Sequence, residues 1–390
     1  MGWQFLWWVL GVAGLAGWAR FAWPVVRALV HTRYLSRVDL DRRISGAPVP
    51  TVSVLVPACN EAAAIERCLD SLLQQDYPGL QIVAINDRST DRTGEIMEAV
   101  ARREPRLVVR HVKTLPAGWL GKNHANHVGA QATDSDWILF TDGDIIFEPD
   151  ALAKAVAFAE DEGLDHLSLM PGLIPGGPLE TAACCFFGLF FCYVFKTWHV
   201  RNPLRSDAFC GIGAFNLVRR RAYESIGGHV PLRLEVGDDV KLGKLFKRGG
   251  FISDVIAGWP SISVRWQIGI GGVIRGLEKN GFCGADYQVR KALPGIGGLI
   301  VLALLPVVGV VFAPLSCKAL YAAWLVGEIG LLGSAARRQG SSGLHGLAFP
   351  IVCLAIAYAI TRSMVLALRR GGIIWRGTLY PLEDLRNGLV

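Results

Sequence analysis

The sequence predicts an α/β domain built on a mostly parallel, doubly wound sheet, with transmembrane helices flanking the domain. Short apolar stretches alternate with helical patterns between residues 51 and 160, which is typical of a parallel sheet covered by helices. Long apolar stretches lie near both ends of the chain. The composition, 52% apolar and 19% charged with a mean hydropathy of +0.35, falls between soluble and purely membrane-embedded proteins.

Net charge and cysteine usage exclude several classes of protein. The net charge of +7 is modest, and no basic run carries interleaved aromatic residues, so we expect no nucleic-acid partner. The nine cysteines are scattered and form no C-x-x-C pair. This pattern favours reduced, mostly buried thiols over a disulfide framework or a zinc site.

Residues 1–30 are almost wholly apolar and predict an N-terminal transmembrane anchor. The first basic residues follow within and after this stretch, at Arg20, Arg27, Arg33, Arg37, Arg42 and Arg43. Basic residues beside a spanning helix favour the cytoplasmic side. We therefore expect the N-terminus outside, a basic linker over residues 31–50, and a cytoplasmic α/β domain on a multi-pass protein of a bacterial-type inner membrane.

The catalytic domain is predicted over residues 51–290. Its first half should contain four strands and four helices, because apolar runs of strand length are each followed by a helical pattern. The predicted strands are 51–57, 80–85, 107–112 and 137–140, and the predicted helices are 60–74 with Asn60 as its cap, 89–103, 121–132 and one starting at Pro149. Later strands are predicted at 213–219, 251–256 and 261–266, and later helices at 220–226 and 238–247.

Two carboxylates follow the fourth predicted strand. Asp142 and Asp144 are separated by one glycine, and residues i and i+2 of an extended segment point the same way. Asp87 ends the second strand, so all three should lie at the carboxyl edge of the sheet, where such folds bind ligands. Two converging carboxylates suit a divalent cation on a diphosphate. An acidic turn after the strand is the alternative that this stretch alone leaves open.

Apolar segments return in the second half of the chain. Residues 181–195 are predicted as an interfacial helix or a buried core helix, and residues 267–281 as a second interfacial segment. Residues 296–368 contain two or three spans, followed by a tail over residues 369–390. The count stays open, because the basic groups Arg337–Arg338 and Arg369–Arg370 should both be inside although one predicted span separates them.

Four short segments occur in an order that is specific as a set. They are Val56-Pro-Ala-Cys-Asn-Glu61, Asp76-Tyr-Pro-Gly-Leu-Gln-Ile-Val-Ala-Ile-Asn-Asp-Arg-Ser-Thr-Asp91, Gly121-Lys122 and Thr141-Asp-Gly-Asp144. Over about residues 50–265 the chain resembles family 2 glycosyltransferases, which have the GT-A fold. Its layout is similar to that of ceramide-glucosyltransferase-like enzymes and of carotenoid- or hopanoid-associated bacterial enzymes.

The resemblance implies a site for a nucleotide-diphosphate sugar. The residues that it assigns to the donor are Pro57, Asn60, Glu61, Asp87, Lys122 and Asp142. Asp87 would accept hydrogen bonds from the base, although Asn86 stands where relatives usually have a further carboxylate. Asp144, assisted by Asp142, would hold Mn²⁺ or Mg²⁺. Lys122 also suits phosphate by position, because it follows a glycine at a predicted helix start; a solvated surface lysine is the alternative.

Two further pairs of residues are candidates for the part of the site that binds the acceptor. Asp239 corresponds to the base of inverting members and Asp238 is the second candidate, while helix capping is the alternative for both. Arg265 and Trp266 resemble the end of a Q-x-x-R-W element whose Gln is replaced by Ile262. That departure favours transfer of a single hexose to a lipid-like acceptor. A processive polysaccharide synthase and an inactive GT-A membrane scaffold remain as alternatives.

Overall fold

The computed structural model describes residues 2–40 and 49–390. The predicted linker therefore lies partly outside the described residues. Contacts divide the chain into two compact units. The sheet unit consists of Thr32–Gly172, His199–Val264 and Glu383–Val390, and the helical unit consists of Met1–His31, Leu173–Trp198 and Arg265–Leu382. The predicted limits of a continuous domain over 51–290 stay a prediction.

The α-helices are numbered in chain order. They are α1 Gly2–His31, α2 Ile65–Leu73, α3 Thr93–Ala101, α4 Gly121–Gln131, α5 Ala151–Asp161, α6 Pro178–Phe195, α7 Arg220–Ser225, α8 Asp238–Arg248, α9 Gly269–Cys283, α10 Val289–Phe312, α11 Leu315–Arg338, α12 Phe349–Arg370 and α13 Leu382–Asn387.

The strands are numbered in the same way. They are β1 Val52–Ala58, β2 Leu80–Asp87, β3 Leu107–Val112, β4 Trp137–Phe140, β5 Ile146–Phe147, β6 His166–Met170, β7 Gly172–Leu173, β8 Asn216–Arg219, β9 Ser253–Ala257, β10 Ile262–Val264, β11 Gly372–Trp375 and β12 Thr378–Pro381.

Seven strands form the main sheet in the order β3-β2-β1-β4-β8-β6-β9. The pairs β1–β2, β1–β4, β2–β3 and β6–β9 are parallel, and β8 is antiparallel to both of its neighbours. The predicted α/β class with a mostly parallel sheet is therefore confirmed. Every residue of β1 and of β4 is buried, as expected of apolar strands covered on both faces.

The first two helices of the sheet unit, α2 and α3, begin later than predicted. Helix α2 starts at Ile65 with Ala64 as its N-cap, so the prediction that Asn60 caps it was wrong. Asn60 adopts a left-handed backbone with φ 58°, and its side-chain oxygen accepts a hydrogen bond from the Thr90 amide at 2.8 Å. The asparagine thus holds the loop after β2, which competes with capping for the same oxygen.

The helical unit contains the apolar helices. Among the described residues, five segments are long and apolar enough to cross a membrane by length and composition: Gly2–His31, Pro178–Phe195, Val289–Phe312, Leu315–Arg338 and Gly343–Arg370. Helix α6 starts three residues before the predicted segment, because Pro178 suits a first helical turn. The tail forms a hairpin of β11 and β12, which pair antiparallel.

Candidate active site

A lysine and a carboxylate define the centre of the site in the sheet unit. Asp142 follows β4, and its amide donates to the Gly213 carbonyl at 3.0 Å. Lys122 lies in the first turn of α4, and its Nζ donates to Asp142 Oδ1 at 2.6 Å. The start of α4 and the segment after β4 therefore meet at the carboxyl edge of the sheet.

Gly213 leaves the space in which three of these side chains converge. A Cβ built on Gly213 would lie 2.7 Å from Asp142 Oδ2, 3.2 Å from Lys122 Nζ and 3.3 Å from Asp239 Oδ2. Any side chain at this position would displace at least one of the three charged groups. The glycine is therefore part of the site, although it carries no chemistry itself.

Asp238 and Asp239 open helix α8. The Gly213 amide donates to Asp239 Oδ2 and the Val240 amide donates to Asp239 Oδ1, both at 2.8 Å. Asp239 is half-buried and Asp238 is buried. Backbone bonds thus orient the Asp239 carboxylate while part of it stays accessible, which suits a residue that must reach a second substrate.

The charge of Lys122 is strongly stabilised. Burial alone would lower the pKa of Lys122, but the carboxylates of Asp142, Asp238 and Asp239 outweigh it and raise that pKa. The ammonium is therefore permanently charged and positioned by carboxylates. A phosphate that arrives here would meet a fixed cation.

Asp144, in contrast to Lys122, lies mainly among charges of its own sign. Burial, followed by the charges of Asp142 and Glu61, raises the pKa of Asp144 to about 7. Clustered carboxylates favour a bound cation, and oxygen donors of this kind suit Mg²⁺ or Mn²⁺. Among the described residues, no group of three or more His, Cys, Asp or Glu side chains could hold a metal ion. Asp142 and Asp144 would leave the remaining ligand positions of such a cation to a bound diphosphate and water.

Asp87 ends β2 and is almost completely buried. Arg88 pairs with it through two hydrogen bonds, from Nε to Oδ1 at 2.7 Å and from Nη2 to Oδ2 at 2.9 Å. The pair packs against Gly121, where an added Cβ would lie 2.5 Å from Arg88 Nη2. This contact explains why a glycine precedes Lys122.

The loop after β2 is held by the segment that follows β1. The Asn60 oxygen accepts from the backbone of Thr90 and Asp91, and the Glu61 amide donates to Thr93 Oγ1 at 2.8 Å. Pro57 lies within β1, beside Ile85 of β2. These residues shape the edge at which Asp87 lies, and their assignment to the nucleotide sugar stays a prediction.

Arg265 and Trp266 belong to the helical unit. Arg265 Nε donates to Glu180 Oε1 at 3.2 Å, and the Trp266 ring stacks on Phe187 with centroids 4.6 Å apart. Both partners lie on α6. The predicted contact of this pair with diphosphate or acceptor stays a prediction.

Sequence reasoning missed two members of the site. Gly213 was placed in a predicted strand, but β8 starts only at Asn216, and no local pattern shows that its missing side chain makes room for charges. Arg88 follows Asp87 directly, and only its positive φ of 53° turns it back onto its neighbour. Such a backbone conformation is unusual for arginine and is not readable from residue type.

The main sheet thus carries a lysine and several carboxylates at its carboxyl edge, where open α/β sheets bind their ligands. Residues 53–227 match the model of Glycosyl transferase family 2. The chain therefore contains a family 2 glycosyltransferase domain, and the predicted enzyme class is confirmed.

Named relatives agree with this class. A 4,4'-diaponeurosporenoate glycosyltransferase of Staphylococcus haemolyticus is 25% identical over 279 residues, covering 70% of this chain and 71% of that protein. The protein of the same name from Staphylococcus aureus strain USA300 is 23% identical over 341 residues, covering 85% and 88% respectively. The predicted similarity to carotenoid-associated enzymes is thus confirmed.

One solved structure supports the fold. The mannosyltransferase PcManGT from Pyrobaculum calidifontis, in complex with GDP-Man and Mn²⁺, aligns with a TM-score of 0.50 at 19% identity and covers 92% of this chain and 99% of that one. At this identity the likeness concerns the fold alone.

Proposed function

We propose that this protein transfers a single sugar from a nucleotide-diphosphate sugar to a lipid-like acceptor at the cytoplasmic face of a membrane, with inversion at the anomeric carbon. The observation that carries the proposal is the convergence of Lys122, Asp142 and Asp239 around Gly213. Phosphate binding, metal binding and proton removal are the three tasks that such a transfer needs, and one residue for each lies within this cluster.

Asp144 and Asp142 would hold Mn²⁺ or Mg²⁺. When bound, such a cation neutralises the charge that grows on the leaving diphosphate. Lys122 supplies a second, fixed positive charge beside the same carboxylate, from 2.6 Å away. The protein's own contribution is thus to align the diphosphate between a cation site and an ammonium group.

Asp239 would act as the general base. Its carboxylate takes the proton of an acceptor hydroxyl while that oxygen attacks the anomeric carbon, and the bond to the diphosphate breaks. Backbone donors at 2.8 Å fix the orientation of both carboxylate oxygens. Asp238 is buried beside it and is suited to support this orientation.

A lipid-like acceptor is supported by the relatives and by the apolar helices. The relatives are named for glycosylation of 4,4'-diaponeurosporenoate, and five helices here are apolar enough to cross a membrane. An acceptor dissolved in the bilayer would reach such an enzyme at the membrane surface.

The proposal is tested with membranes that contain the full-length protein, a panel of labelled nucleotide sugars, and Mn²⁺ or Mg²⁺. We expect lipid-extractable label from one donor, lost on chelation and restored by the metal. Asp239→Asn should lower kcat by about 10²–10⁴-fold, with donor KM nearly unchanged.

A matched control is Asp161→Asn, an exposed carboxylate at the end of α5, which should behave like the unchanged protein. Label that persists in Asp239→Asn would overturn the base assignment. Absence of lipid label with every donor would favour the inactive scaffold, and labelled polymer would favour the processive synthase.

A further inference from the structure

Helix α6 leaves the sheet unit and returns to it. Gly172 before the helix and His199 after it both belong to the sheet unit, and only residues 196–198 follow the helix before that return. A helix of 18 residues is roughly 27 Å long, while three extended residues reach about 10 Å. Because strands on both sides of α6 form one sheet, a bilayer cannot separate its two ends.

The segment that contains α12 has the same property. Before it, Gln339 accepts a hydrogen bond from the Leu173 amide at 3.1 Å, and Leu173 directly follows a residue of the sheet unit. After it, the Gly371 carbonyl accepts from the Leu382 amide at 2.9 Å, and Leu382 directly precedes the returning segment Glu383–Val390. Both ends are thus tied to chain that enters the sheet unit.

Helix α12 packs on α6, α9 and α10. Phe349 at its start meets Phe186 of α6 with ring centroids 5.3 Å apart. Near its end, Ser363 Oγ accepts from the Phe282 amide of α9 at 2.9 Å, and Arg370 pairs with Glu278 of α9 at 2.9 Å.

Helices α1, α10 and α11 share an apolar cluster. Trp7, Tyr321 and Trp324 belong to one buried cluster together with residues of α10. The Trp324 ring lies against Gly14 and the Trp18 ring against Gly327, so α1 and α11 run parallel. Since α1 ends at His31, directly before the sheet unit, its start and the start of α11 lie at the far end of the bundle.

From these connections we infer that α1, α10 and α11 cross the membrane, and that the segment containing α12 does not cross but enters and leaves on the side of the sheet unit. This holds although α12 is apolar enough to span. This assignment goes beyond the proposed function and does not depend on it.

The charge pattern supports the assignment independently. Arg337 and Arg338 end α11, and Arg369 and Arg370 end α12. If α12 crossed, these two basic pairs would lie on opposite sides of the membrane. If α12 does not cross, both lie on the same side, as the preference of basic residues for the cytoplasmic face requires.

Cysteine labelling of the full-length protein in sealed vesicles of both orientations tests this topology. Single substitutions Ser316→Cys, Ser341→Cys and Glu383→Cys place a thiol in the first turn of α11, before α12 and after the hairpin, and Arg102→Cys marks the sheet unit. An impermeant maleimide is added before or after detergent. The unsubstituted chain gives the background from its native cysteines.

We expect Ser341→Cys, Glu383→Cys and Arg102→Cys to be labelled from one face and Ser316→Cys from the other. Labelling of Ser341→Cys and Glu383→Cys from opposite faces would overturn the inference. Ser342→Cys and Asp384→Cys serve as a second pair if one of the first variants fails to insert. Because labelling needs no transferase activity, its result is independent of the proposed reaction.

Discussion

Two acidic strand ends at the carboxyl edge of the sheet differ in how their charge is balanced. At the end of β2, Asp87 is neutralised by its own neighbour, Arg88, through two hydrogen bonds. After β4, Asp142 shares Lys122 with Asp238 and Asp239, and burial together with nearby carboxylates raises the pKa of Asp144 to about 7. The negative charge at the end of β2 is thus neutralised, whereas the end of β4 has more negative than positive charge.

This difference separates two kinds of recognition. Asp87 is buried and its charge is neutralised by Arg88. Such a carboxylate can position an uncharged base through hydrogen-bond geometry, with little change in the local electric field. The end of β4 instead favours ligands that bring positive charge, and a fixed ammonium beside it favours phosphate. Under the proposed function, the comparison predicts the nucleoside at β2 and the metal diphosphate at β4, and variants at each strand end test this division.

The largest effect is expected from Asp144→Asn. Loss of this charge removes the main reason for a cation to bind, so we expect transfer to fall by about 10³-fold or more and to respond weakly to added metal. The measurement is initial rate against Mn²⁺ concentration, with Asp161→Asn as the isosteric control. Unchanged metal dependence in Asp144→Asn would refute the assignment of the excess charge to a metal site.

A smaller loss is expected from Gly213→Ala. The added methyl group would lie 2.7 Å from Asp142 Oδ2, so the carboxylate or Lys122 must move. Because small displacements of aligned catalytic groups slow a reaction strongly, we expect kcat to fall by about 10–100-fold. Gly188→Ala in α6 is the control, because a Cβ there meets nothing within 4 Å. Equal activity of the two variants would show that the cluster around Gly213 is not the reaction centre.

Much of this arrangement was predictable from sequence, and the reasons are physical. Short apolar runs fix the strands, and parallel strands bring Asp87, Asp142 and Asp144 to one edge whatever the loops do. The acidic start of α8 and the glycine before Lys122 were also visible as local patterns. These features depend on periodicity and on strand direction, which the residues encode directly.

Loop conformation and pairing between neighbours were not predictable. Asn60 could cap a helix or hold a loop, and the left-handed backbone at Asn60 and Arg88 decides both outcomes. The role of Gly213 depends on three charged side chains that are distant in sequence. Likewise, composition alone predicts α12 as a membrane span. The hydrogen bonds of Gln339 with Leu173 and of Gly371 with Leu382, two residues that adjoin the sheet unit in sequence, favour a segment that does not cross.

The smallest and most selective effect is expected from Arg88→Met. Buried Asp87 would lose its two hydrogen bonds, which costs about 1–3 kcal/mol in the free energy of unfolding, and the nucleoside end would lose its fixed geometry. We expect donor KM to rise by about 5–10-fold with kcat nearly unchanged, because the groups around Gly213 are not touched. Arg92→Met is the matched control, since Arg92 is 80% exposed and pairs with an exposed Glu95. Steady-state kinetics at saturating metal decide the outcome: a fall in kcat as large as that of Asp144→Asn would mean that the two strand ends act as one electrostatic unit.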